Sequence, residues 1–146
     1  MNNKKIVSIE ELAKIVARKK QEGKKIVLCH GVFDLLHIGH IKHFKEAKEL
    51  GDILIITVTP DAYVNKGPNR PAFNSDLRLE SLASLESVDY VAENKWPSAV
   101  ETIKFLKPHI YCKGQDYQNH DEDITGKIKD EEEAIKSIGS KMKYTS

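Results

Sequence analysis

The stretch Ile26–Phe44, IVLCHGVFDLLHIGHIKHF, holds four of the chain's six histidines and changes its periodicity partway along. Up to Gly31, "KKIVLCHG" is a short, continuously apolar run closed by glycine, as expected of a strand covered on both faces. From Ile38 the apolar residues instead recur at helical intervals, through Ile41, Phe44 and Ala47, and the stripe ends near Gly51. A buried strand feeding an amphipathic helix through a glycine-containing turn is the opening of a βαβ unit.

The flanking sequence repeats that alternation. Upstream, Ser8-Ile9-Glu10-Glu11 has capping-box spacing, and Leu12, Ile15 and Val16 follow at helical intervals until Gly23. Downstream, "DILIITVTPD" reads as a second apolar strand and "KGPNRPAFNS" as a loop. Asn74 or Ser75 is the expected cap of a helix carrying Leu79, Leu82 and Leu85. "VDYVAE" is a third strand, Pro97 suits the first turn of a helix carrying Val100, Ile103 and Leu106, and "HIYCKG" is a fourth strand. A polar segment to about Asp130 leads to a short helix, and "KMKYTS" closes as a fifth strand. The run Asp130 to Glu133 reads as a solvated first turn that complements the helix dipole. The expectation is an α/β domain with a parallel sheet of about five strands and helices on both faces. Right-handed crossovers then place ligands outside the carboxyl ends of the strands. The loops Gly31–His40, Pro60–Asn74 and Lys113–Gly126 form that rim.

Composition narrows the function. The 146 residues are 40% apolar and 31% charged, enough for one globular domain with its own core. A formal charge of +1 supplies no global field for nucleic acid or an anionic membrane, so neither is expected as a partner and any anion site must be local. No apolar run approaches the ~20 residues that cross a bilayer, and "MNNKKIVSIEELAK" lacks an export signal. Cys29 and Cys112 lie far apart in sequence and match no metal spacing, which fits a reduced, cytoplasmic setting.

His37 and His40 fall where the helix should begin. Unpaired backbone N–H groups and roughly half a positive charge concentrate there, making an anion site. Gly31 and Gly39 would let a phosphate approach the backbone, and imidazoles would donate to its oxygens. Zinc is the rival reading, but the three-residue interval lacks the i, i+4 spacing and neighbouring Glu of catalytic zinc helices. His43 is expected as a partly exposed surface residue, and His30, His109 and His120 as structural or surface residues.

The segment "GVFDLLHIGH" resembles the G-x-F-D-x-x-H-x-G-H signature of the cytidylyltransferase-like nucleotidyltransferases, which carry it on a Rossmann-like sheet. "LGDILIITVTPD", "KGPNRP", "LRLESLASLESVDYV" and "LKPHIYCKGQDY" extend the resemblance to the heptose 1-phosphate adenylyltransferase branch, over roughly residues 5 to 118. The glycerol-3-phosphate cytidylyltransferases come next. The resemblance implies transfer of a nucleoside monophosphate from ATP or CTP to a sugar or polyol phosphate, with Mg²⁺ accompanying the triphosphate and pyrophosphate leaving. It implies that Gly31, Val32 and Phe33 line the phosphates, that Asp34 braces the turn, and that His37 and His40 meet the phosphates and the leaving pyrophosphate. Lys66 would reach the α-phosphate or acceptor with Arg70 nearby, and Arg78 would hold the triphosphate or acceptor. Lys113, Gly114 and Asp116 would sit beside the base and ribose. The family's late Ser/Thr-rich motif has no counterpart before Ser146, so residues 1–146 read as a single nucleotidyltransferase domain truncated at its C-terminus. A homodimer and a fused or separate sugar-kinase domain are further partners the resemblance implies. The alternative is a nucleotide-binding regulatory or assembly module, inactive without a missing segment or partner domain. "HIGH" with a later "KMKYTS" is superficially similar to the paired signatures of class I aminoacyl-tRNA synthetases, but the chain is too short for that body and "KMKYTS" is strand-like.

Overall fold

The computed structural model describes residues 3–64, 73–114 and 127–145. Helix α1 (Ile9–Gln21) starts at Ser8, whose Oγ accepts from the Glu11 amide at 3.1 Å, and stops two residues before Gly23, where φ is +82°. Then follow β1 (Ile26–Gly31), α2 (Ile38–Glu49), β2 (Ile53–Val58) and a short 3-10 turn at Asp61–Tyr63. The rest comprises α3 (Ser75–Ala83), β3 (Tyr90–Glu93), α4 (Ala99–Leu106), β4 (Ile110–Lys113), α5 (Lys127–Ser137) and β5 (Lys141–Tyr144).

The strands form one parallel sheet in the order β3-β2-β1-β4-β5. Because β1 pairs with β2 on one side and β4 on the other, the strand order reverses at the β1/β4 boundary. In such sheets the crevice at the carboxyl ends of those strands is the expected ligand site. Val27, Cys29, Ile56 and Cys112 pack one face of the sheet against Phe44 and Ala47 of α2 and Leu79 and Leu82 of α3. Ile26, Leu28, Ile55 and Tyr111 pack the other face against α1, α4 and α5. The α/β, Rossmann-like sheet of five strands with helices on both faces is therefore present. Residues 5–7 also cover the β3 edge: Val7 donates to the Val91 carbonyl at 3.0 Å, and Val91 donates to that of Lys5 at 2.9 Å.

Three local expectations change. Ser98 caps α4, which puts Pro97 just before the helix, and Leu85 packs beyond the end of α3. Helix α5 begins at Lys127, so only Asp130 of the acidic run falls in its first turn, and the run is only partly solvated. Its Glu131 is 4% exposed, accepts from the Tyr111 hydroxyl at 3.0 Å, and lies 3.5 Å from the Lys113 ammonium. A buried carboxylate needs such partners.

Candidate active site

The centre of the site is the β1–α2 junction. His37 is the N-cap of α2, with extended backbone, and its Nδ1 accepts from the Gly39 amide at 3.0 Å. His40, in the first turn, uses its own Nδ1 to accept from the His37 amide at 3.3 Å. The two rings cap the helix reciprocally, with centroids 4.1 Å apart. An imidazole whose Nδ1 accepts carries its proton on Nε2, so this capping sets the tautomer in which Nε2–H is a donor. No acidic residue occupies the first turn of α2, which leaves the positive end of the helix dipole uncompensated by this helix.

The two glycines also make room for neighbouring rings. A Cβ on Gly39 would meet His37 Cε1 at 2.7 Å, so this glycine makes room for the capping ring itself. A Cβ on Gly31 would meet the Phe33 ring at 2.9 Å. Phe33 takes a left-handed φ of +50° and sets its ring edge-on to both His40 and Phe44, at 5.9 and 5.2 Å between centroids. The ring thus backs the His40 imidazole and ties the loop to the core.

Neighbouring loops are bolted to this junction. Asp34 Oδ1 accepts from the Phe73 amide at 2.8 Å, so the expected brace reaches across to the entry of α3. Arg78, expected to hold the triphosphate or acceptor, is only 1% exposed. Its guanidinium donates to the Val32 carbonyl at 2.9 Å, the Phe73 carbonyl at 3.2 Å and Asp61 Oδ1 at 2.6 Å. With all three nitrogens bonded to protein, Arg78 joins three segments of the rim. The burial has a simple cause: α3 turns this position inward, and a buried guanidinium must find acceptors.

Lys113 and Gly114 stand at the carboxyl end of β4, next to the β1 end, as expected. The Lys113 ammonium lies 3.5 Å from Glu131 and 5.4 Å from the centre of the Tyr111 ring. Lys66, Arg70, Asp116 and His120 fall outside the described residues. His30 lies at the sheet end, with Nδ1 2.8 Å from Thr57 Oγ1, and His109 Nδ1 accepts from the Ile26 amide at 2.9 Å. Both are structural, as expected.

Sequence reading missed one cluster. Cys29 and Cys112 stand side by side on adjacent strands with His43 beside them, their ligand atoms all within 4.8 Å of one another. His43 is half-buried, its Nε2 3.6 Å from Cys29 Sγ and its Nδ1 2.7 Å from Thr145 Oγ1, and burial lowers its pKa. A signal was present: "CHG" and "CKG" put a cysteine two residues before the glycine closing each strand. Strands of a parallel sheet that end at one rim align such equivalent positions.

Fold and site together define an α/β domain that offers an anion a histidine-capped helix N-terminus at the topological switch of its sheet. The cytidylyltransferase-like family model matches residues 28–144, and the chain belongs to that family. Among curated proteins it is 43% identical over 143 residues to "Bifunctional protein HldE" of Aliarcobacter butzleri, covering 96% of this chain and 30% of that protein. It is 37% identical to the protein of the same name from Pelobacter propionicus, covering 99% of this chain and 29% of that one. The chain thus spans about a third of the length of these curated relatives. Among solved structures, the lipopolysaccharide core biosynthesis protein from Thermoplasma volcanium superposes with a TM-score of 0.67 at 30% identity, covering 85% of this chain and 98% of that one. A pantoate-beta-alanine ligase from Francisella tularensis shares the fold, with a TM-score of 0.66 at 18% identity over 96% of this chain and 66% of that one.

Proposed function

We propose that the chain is a nucleotidyltransferase that moves a nucleoside monophosphate from ATP or CTP to a sugar or polyol phosphate and releases pyrophosphate. The reciprocal capping of α2 by His37 and His40 carries this reading: it holds two imidazoles in the donor tautomer beside a helix N-terminus with no acid in its first turn. The acceptor phosphate attacks the α-phosphorus in line, the bond to the β-phosphate oxygen breaks, and negative charge grows on the departing pyrophosphate. Such a reaction asks for positioning and charge stabilisation rather than a protein nucleophile. His37 and His40 donate to the phosphate oxygens through Nε2, and the Gly31–Phe33 backbone lines the polyphosphate. Asp34 and Arg78 keep that loop in place. Lys66 and Arg70 serve the α-phosphate and acceptor, and Lys113, Gly114 and Asp116 the base and ribose. Mg²⁺ accompanying the triphosphate would neutralise part of its charge while needing few protein ligands. The relatives named HldE are bifunctional and the Thermoplasma protein is described by lipopolysaccharide core biosynthesis. Those names support an acceptor from surface-polysaccharide precursor synthesis, of heptose-phosphate type, and a sugar-kinase domain as fused or separate partner.

Pyrophosphate release from each triphosphate paired with candidate sugar phosphates tests the reading. His40→Ala is expected to reduce turnover about 10²–10³-fold while the circular dichroism stays native. Near-normal turnover in that variant would remove His40 from the chemistry. Triphosphate binding with no turnover for any acceptor would assign the chain the regulatory role instead.

A further inference from the structure

We infer that Cys29, Cys112 and His43 form a binding site for a divalent zinc ion in the layer between the sheet and α2. The site does not rest on the nucleotidyltransferase reading. Leu28 and Tyr111 are register partners, so Cys29 and Cys112, one residue further on, stand side by side on β1 and β4. Both thiols are essentially buried, at 0% and 1% exposure, in the core that faces α2. His43, in the second turn of α2, completes the group, and all three ligand atoms lie within 4.8 Å of one another.

The distances match a tetrahedral site. Zinc bonds of about 2.3 Å to sulfur and 2.0–2.1 Å to nitrogen give a sulfur–nitrogen edge of about 3.6 Å and a sulfur–sulfur edge of about 3.8 Å. Cys29 Sγ and His43 Nε2 already stand 3.6 Å apart. Side-chain shifts of about 1 Å or less close the remainder. The ring's other nitrogen lies 2.7 Å from the hydroxyl of Thr145, itself 4% exposed, and such an outer partner orients a metal-binding imidazole. A disulfide between the two cysteines would use neither the imidazole nor its threonine. Charge selects the ion: Zn²⁺ replaces two thiol protons, the two thiolates cancel its charge, and the buried group stays neutral, whereas a monovalent ion would leave net negative charge. Thiolate and imidazole are also the donor set zinc favours. Three protein ligands leave a fourth position for water. Bound there, zinc would pin α2, one turn below His40, to both strands that flank the switch point.

Cobalt(II) titration of the metal-free protein, kept reduced with a non-thiol reductant, tests the site, with zinc then added against a chromophoric chelator. One equivalent of cobalt should produce thiolate-to-cobalt charge-transfer absorption, and one equivalent of zinc should abolish it. The chain has only two cysteines, so the wild-type protein is itself decisive. Cys112→Ala and Cys29→Ala should each lose the absorption, Thr145→Val should weaken zinc binding about 10–100-fold, and a His37→Ala/His40→Ala double variant should retain both absorption and binding. Circular dichroism controls for folding of the variants. No charge-transfer absorption in folded wild type, its persistence in a folded cysteine variant, or its loss with the His37/His40 pair would overturn the proposal.

Discussion

At the scale of single residues, Gly39 shows how one missing carbon supports both a helix and its chemistry. The His37 ring occupies the space where a Cβ of residue 39 would lie, 2.7 Å from Cε1. Gly39→Ala must therefore push the imidazole off its cap. Losing an N-cap of this kind costs about 1 kcal/mol, and a misplaced donor costs on the order of 10²-fold in rate. Urea unfolding and pyrophosphate release, measured on the same preparation, should show a small stability loss beside a large loss of turnover. An unchanged rate would mean that His37 can leave its cap without consequence for catalysis.

At the scale of elements, His109 fastens the start of β1 to the α4–β4 connection by accepting from the Ile26 amide, which requires an unprotonated Nδ1. Its pKa is lowered, first by burial and then by the charges of Lys20 and Lys25. The unfolded chain therefore takes up this proton at a higher pH than the folded one. The contribution to stability is complete above the unfolded value of about 6.5, declines as pH falls through it, and stops changing below the lowered folded value. Urea midpoints should thus drop between about pH 7.5 and about pH 5.5, and drop less in His109→Gln. Parallel profiles for the two proteins would show that the proton goes elsewhere.

Across the whole molecule, Arg78 links three segments that are distant in sequence: the β1–α2 loop at Val32, the 3-10 turn at Asp61 and the entry of α3 at Phe73. Its guanidinium is fully buried, whereas the Asp61 side chain is 44% exposed. Asp61→Ala would leave that cation buried without its counter-ion, at a cost of about 3 kcal/mol, the low end for a broken buried pair because Asp61 meets water on one side. Denaturant unfolding should register the loss. Because the same link holds the Val32 loop, KM for the triphosphate should rise more than kcat falls; a pure kcat effect would contradict a positioning role.

The order of elements was legible because each is written in local periodicity: the apolar runs of β1 and β2, the Ser8 and Asn74 caps, and the stripe ending in Phe44 and Ala47. The "HIGH" turn was legible too, since an N-cap and its first turn involve neighbours in sequence only. Tertiary structure alone decided that β1 lies between β2 and β4, and with it that Cys29 meets Cys112 and His43. It also decided that Arg78 and Glu131 are buried among partners rather than displayed. Hydrophobic periodicity specifies which face of an element is covered, but not by what. Which distant side chains share that cover depends on crossover connections and sheet register, and no local pattern encodes those.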